Sequence, residues 1–115
     1  AFGNNGDKLN QALSWNYLSL SYQELGQLSE AGIINESIKL LQSKSGSKEY
    51  LSIRAQAYNT LGKLQLAQGQ PENAFLSWQE AVNIYSQIQD ISGKIGAQIN
   101  QTQALQALGL FRRAK

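Results

Sequence analysis

Glycine and alanine recur in one register along this chain, and that repetition restricts the fold more than any other feature. Three segments align: Tyr22-Gln23-Glu24-Leu25-Gly26-Gln27-Leu28-Ser29-Glu30-Ala31, Gln65-Leu66-Ala67-Gln68-Gly69-Gln70-Pro71-Glu72-Asn73-Ala74 and Leu105-Gln106-Ala107-Leu108-Gly109-Leu110-Phe111-Arg112-Arg113-Ala114. In each, a run of helix formers meets a Gly, and Ala follows five residues later. The glycines at 26, 69 and 109 stand 43 and then 40 residues apart, and Ala31, Ala74 and Ala114 keep the same spacings. Self-similarity at such a period is the mark of a repeat architecture.

Each Gly has a physical task. It follows a helical run and adopts the left-handed conformation that closes a helix C-terminus. Pro71, the one proline, then falls at the start of the next helix, where a missing N–H costs nothing, and Glu72 suits the positive end of the helix dipole. A turn this short forces consecutive helices antiparallel.

Apolar spacing agrees. Ala74, Trp78, Ala81, Tyr85 and Ile88 form one helical stripe, as do Trp15, Leu18, Tyr22 and Leu25, then Tyr58, Leu61 and Leu64, and, more weakly, Ala97, Ala104, Leu105 and Leu108. The spacing predicts helices near 7–25, 28–43, 48–68, 71–89 and 91–108, with a sixth beginning near 111 after Gly109. Residues 43–48, polar and containing Gly46, read as a loop. The expected fold is all-α: an α–α superhelix of about two and a half helical hairpins forming one domain over 1–115. Its repeats are expected near 7–43 and 48–89, with a partial one at 91–115.

These residues resemble the tetratricopeptide repeat family, whose pattern sets a large residue, Leu and a small residue, Tyr, Gly, Ala, an aromatic and Ala in order. Trp15, Leu18, Ser19, Tyr22, Gly26 and Ala31 match in the first repeat, and Tyr58, Leu61, Gly62, Gly69, Ala74, Trp78 and Ala81 in the second. Gln65 departs from the usual Tyr, Asn35 and Ile38 from the usual aromatic and Ala, and Gln101 and Thr102 from the Leu and small residue. The repeat is longer than the family's usual 34 residues. The texture of residues 99–109 looks like the long-repeat arrays of large cyanobacterial proteins, which often precede a CHAT domain, a caspase-like peptidase module.

The resemblance implies a right-handed solenoid that binds a partner polypeptide in its concave groove. The groove positions carried over are Leu13, Asn16, Leu20 and Gln23 in the first repeat, and Gln56, Asn59, Lys63 and Leu66 in the second. Asn16 and Asn59 share one repeat position, and an Asn amide can both donate to and accept from a peptide backbone. Asn16 and Leu20 stand where the family's chaperone-tail clamp requires other residues, so an acidic C-terminal tail is not the expected ligand. The alternative is a structural spacer or self-association module, with the C-terminal end left open at Leu105 and Leu108.

Other chemistries have little to stand on. The chain has no Cys and no His, so thiolate–zinc sites, cysteine nucleophiles and the commonest general base are excluded. No two of its eight carboxylates fall at i, i+3 or i, i+4, which leaves a paired-carboxylate hydrolase without support. Ser45-Gly46-Ser47-Lys48 lacks the leading Gly and the strand of a phosphate loop. A net charge of +2 with scattered Lys and Arg does not make a nucleic-acid stripe. Arg112 and Arg113 read as solvated surface, and Trp15, Tyr22, Tyr58 and Trp78 as core. No enzyme activity, metal or cofactor is therefore expected, and no apolar run reaches the roughly 18 residues of a membrane span. There is no Met and no signal segment at the N-terminus. A segment of a longer protein, in the cytoplasm, is the expectation.

Overall fold

A computed structural model of the chain describes residues 2–42 and 47–114, with side chains for 8–42 and 47–109. Among the described residues all regular structure is helical: α1 (Phe2–Glu24), α2 (Leu28–Ala31), α3 (Ile34–Leu40), α4 (Lys48–Ala67), α5 (Pro71–Gln87) and α6 (Ile91–Ala114). The helices pack together within 55 × 31 × 20 Å. The shortest dimension is that of two helix layers.

Three turns share one hydrogen-bond pattern. After α1, Gly26 N–H donates to Gln23 O at 3.1 Å and Gln27 N–H reaches back to Tyr22 O at 2.8 Å. After α4 the same pair runs from Gly69 to Leu66 O and from Gln70 to Gln65 O, at 3.0 and 2.8 Å. After α5 it runs from Gln89 to Ser86 O and from Asp90 to Tyr85 O, at 3.1 and 2.9 Å. This crossed pair is the Schellman closure, and it demands a left-handed residue at its centre. Gly26 and Gly69 supply it with φ of 76° and 78°; Gln89 supplies it at φ 60°.

Each closure folds one helix back on the last. Within the α1–α3 hairpin two serines bridge the backbones: Ser19 Oγ–H donates to Ala31 O at 2.7 Å and Ser37 Oγ–H to Ala12 O at 3.0 Å. Within α4–α5, Ser77 Oγ–H donates to Gln65 Oε1 at 2.6 Å and Trp78 Nε1–H to Asn59 O at 3.0 Å. Partners rise along one helix as they fall along the other, so both pairs are antiparallel. α6 packs antiparallel on α5 in turn, with Gln101 Nε2 donating to Gln79 Oε1 at 2.9 Å.

α5 comes very close to α4 at Gly62. A Cβ there would lie 2.5 Å from Trp78 Nε1 and 2.6 Å from Cε2, so only Gly lets the indole, 1% exposed, lie against α4. Gly93 plays the same part for the Tyr85 ring on α6. The stripe from Ala74 to Ile88 is buried throughout, as its spacing requires. The stripe expected on the first helix is misphased. Leu18 and Leu25 are exposed, and the buried line is Ala12, Asn16 and Ser19, because two neighbouring backbones come nearest where side chains are small.

Three expected boundaries are corrected. Gly109 does not end a helix: α6 runs through it to Ala114, and no sixth helix opens near 111. A Cβ at Gly109 would meet nothing within 4 Å, and one Gly costs a helix only about 1 kcal/mol, so it does not break the helix. The helix expected over 28–43 is divided at Gly32 and Ile33, where Gly32, Ile33, Asn35 and Glu36 donate three residues back. Asn35 Nδ2 also donates to Gly32 O at 3.1 Å, a local bond that competes with the helical ladder. α1 begins at Phe2 rather than near 7. The weak propensities of Asn and Gly do not stop propagation from the packed turns. The loop read at 43–48 lies mostly outside the described residues; its last part is seen, where Ser47 Oγ accepts from Tyr50 N–H at 3.1 Å and caps α4.

Gln89 alone among the three closures holds a side chain in the left-handed region, which costs an L-residue roughly 1–2 kcal/mol. Gln89→Gly should therefore raise unfolding free energy by about 0.5–1 kcal/mol, measured by urea denaturation; an unchanged or lower midpoint would contradict this account of the turn. The Tyr85 phenol beside it is held above its ordinary pKa of 10.0, first by burial and then by the charge of Asp90. Asp90 Oδ1 itself accepts from Gly93 N–H at 3.0 Å and caps α6. The neutral phenol is the form the fold favours, so its contribution is complete below the unfolded pKa of about 10 and is lost as pH rises through the higher folded value. Denaturation midpoints should fall over that alkaline window more steeply in the wild type than in Tyr85→Phe.

Candidate functional site

The face offered by α1, α4 and α6 is built from helices that lie side by side and are joined at one repeated position. Thr60 Oγ1–H of α4 donates to Asn16 Oδ1 of α1 in a short bond. Asn100 Nδ2 of α6 donates to Asn59 Oδ1 of α4 at 2.8 Å. Gln23 Nε2 adds a longer link from α1 to Thr60 O, at 3.3 Å, and reaches Ser19 Oγ at 3.4 Å. Asn16 and Asn59, 43 residues apart, thus do the same thing. Each presents its amide oxygen to the next helix of its kind.

The eight residues expected to line a groove are divided by this arrangement. Asn16 is 4% exposed, and its carbonyl is committed to Thr60. Asn59 is half-buried, with its backbone oxygen held by Trp78 and its amide oxygen by Asn100. Leu13 packs against the cluster formed by Ala12, Ile34, Ile38 and Ile53, and Leu66 against Trp78 and Ala104. Gln23 links α1 to α4. Leu20 and Gln56 remain half-buried and Lys63 exposed; Gln56 Nε2 makes one long bond to Ser52 Oγ, at 3.5 Å. Of the eight positions expected to line a groove, Leu20, Gln56 and Lys63 are thus the ones that neither pack in a core cluster nor bridge two helices.

Outside this face, Arg54 places its guanidinium carbon 5.9 Å from the centroid of Tyr58, within the range of a cation–π contact. Among the described residues no group of three or more His, Cys, Asp or Glu could hold a metal ion, and no helix is long and apolar enough to cross a membrane.

Sequence reasoning missed one surface. α6 exposes Ile91 (71%), Ile95 (50%), Ile99 (58%) and Leu105 (54%), while its opposite side, Ala97 and Ala104, is fully packed on α5. Leu105 is uncovered as expected, but Leu108 is half-buried. The isoleucines at i, i+4 and i+8 carried a helical signal in their own right; the small residues between them, which form the true core face, obscured it. No protein-family model, curated protein or solved structure matches the chain significantly.

Removing the Asn16 amide leaves the buried Thr60 hydroxyl without its acceptor. Asn16→Ala should cost about 1–3 kcal/mol of stability, with part recovered in the double variant Asn16→Ala/Thr60→Val. Asn59→Ala, whose partner Asn100 is half-buried, should cost about 0.5–1.5 kcal/mol. A smaller loss for Asn16→Ala than for Asn59→Ala in urea denaturation, or no recovery in the double variant, would contradict this account of the bridge.

Proposed function

We propose that this chain is a non-catalytic scaffold that binds a partner polypeptide, built on the tetratricopeptide plan as a right-handed α–α superhelix. The observation that supports it best is the repeated bridge between α1, α4 and α6. It sets equivalent helices side by side, and repeats that meet in one register make an extended face rather than a closed core. On this reading the face carries Leu20, Gln56, Lys63 and Ile99, a mixture of apolar, amide and cationic groups. Such a set fits a peptide that offers backbone amides, an aliphatic side chain and a carboxylate. The reading assigns no catalytic residue, metal or cofactor, and the chemistry of the face does not select nucleic acid.

The uncovered apolar stripe on α6 supports a second reading, a spacer or self-association module that positions neighbouring domains of a larger protein, such as a CHAT peptidase. The two readings separate by experiment. Peptides selected from a displayed library on the immobilised chain should bind the wild type. Lys63→Glu and Leu20→Glu should each weaken them by roughly tenfold or more. Lys39→Ala, an exposed change on α3, should stay within about twofold. Unaltered affinity in the folded Lys63 and Leu20 variants would refute the groove and leave the spacer. Asn16 is unsuited to this test, since its loss acts on folding.

A further inference from the structure

A polar atom buried in a folded chain normally finds a hydrogen-bond partner, because the water it loses has to be replaced. Among the described side chains one buried atom has none: Nε of Arg54 in α4. The orphan is part of a permanent charge. A guanidinium is not deprotonated in proteins, so Arg54 cannot relieve its burial by becoming neutral. Among the described residues the ion pair present is that of Lys39 with Glu36, and no carboxylate meets Arg54.

The neighbours of Arg54 hold the side chain in place without answering its N–H edge. The guanidinium carbon lies 5.9 Å from the ring centroid of Tyr58, one turn further along α4. That ring packs against two core clusters, one formed with α1 and α3 and one with α5 and α6. Tyr50, one turn back, packs against the first of them. Residues 50, 54 and 58 share one face of α4 by their spacing of four; Gln56 and Lys63 lie on the opposite one. An aromatic ring attracts the cation electrostatically, but it offers the N–H groups no oxygen.

The unanswered edge selects a ligand. Guanidinium N–H groups form a rigid planar fork, and two of them match the two oxygens of a carboxylate. No Lys or Arg stands three, four or seven residues to either side of Arg54, so this face of α4 has nothing to balance the second charge of a phosphate dianion. We propose that Arg54 is a carboxylate-binding site, in which one ligand oxygen accepts from Nε–H and the other from a terminal N–H, with the Tyr58 ring behind the guanidinium. The site draws on neither Leu20 nor Lys63, so it stands or falls apart from the peptide-binding face.

The chain has three arginines, so its Nε–H magnetic resonance signals report Arg54 beside two internal controls, Arg112 and Arg113. Sodium acetate, exchanged for sodium chloride at constant ionic strength, should move the Arg54 signal along a saturating curve and the other two only slightly. A terminally blocked glutamate tripeptide separates the sources of the ligand. Binding at least about tenfold tighter than acetate assigns an acidic side chain of a polypeptide, and equal binding assigns a free carboxylate. Arg54→Lys keeps the charge and loses the fork. In this variant the backbone amide shifts that acetate induces at Ala55 and Tyr58 should vanish while the helical circular dichroism stays that of the wild type. Equal responses from all three arginines, as charge screening alone would give, would overturn the proposal. So would an Arg54 signal indifferent to acetate, the result expected if a buried water holds Nε, or one that inorganic phosphate saturates at lower concentration than acetate. Amide shifts that persist in Arg54→Lys would do the same.

Discussion

The contact between Trp78 and Gly62 holds the centre of this structure. An indole laid against a backbone lacking a side chain brings α5 closer to α4 than any other residue at 62 would permit. Its N–H then ties α5 to the Asn59 carbonyl. From that point the influence spreads both ways. The Asn59 amide reaches Asn100 of α6, and Trp78 shares a buried cluster with Ala74 of its own helix and Ala104 of α6. One aromatic wedge thus sets the spacing of three helices. Interiors are packed at crystal-like density, so a spacing set at one point constrains its neighbours.

Amides and hydroxyls do much of the remaining joining. Ser19 and Ser37 bridge α1 and α3 through backbone carbonyls, and Thr60 and Asn100 bridge successive first helices. Ion pairing contributes little: Lys39 and Glu36 form an exposed pair at 3.8 Å, of a kind worth a fraction of a kcal/mol. The helices are held by shape and by short polar bridges between them. A buried amide that finds its partner in the next repeat favours one register over its neighbours. That accounts for Asn recurring at 16 and 59 without any ligand.

Much of the helical plan was legible. The turns at Gly26 and Gly69, the stripe from Ala74 to Ile88 and the small residue opposite Trp78 could all be read from spacing, because each depends on a local rule of backbone or periodicity. The third break was placed between 89 and 91, but not the residue that closes it. Gln89 adopts the conformation Gly prefers, while Gly109, in the glycine register, stays helical. The site was less legible than the fold. Repeat position marked Asn16 and Asn59 correctly as equivalent, yet whether an amide faces a ligand or another helix depends on the separation of α1, α4 and α6, which no spacing along the chain encodes.

The sequence by itself determined that this protein is helical and that its helices turn at Gly26 and Gly69, since propensity, glycine and apolar period act over a few residues. Tertiary structure alone decided which face of α1 is buried. Ala12, Asn16 and Ser19 displaced the larger Leu18 and Leu25 from the α1 core because close backbones exclude bulky side chains. The same packing spent the two asparagines inside the fold and left Ile91, Ile95 and Leu105 on its surface. Burial is settled by what approaches a helix from elsewhere in the chain, and a neighbour distant in sequence leaves no mark in local pattern.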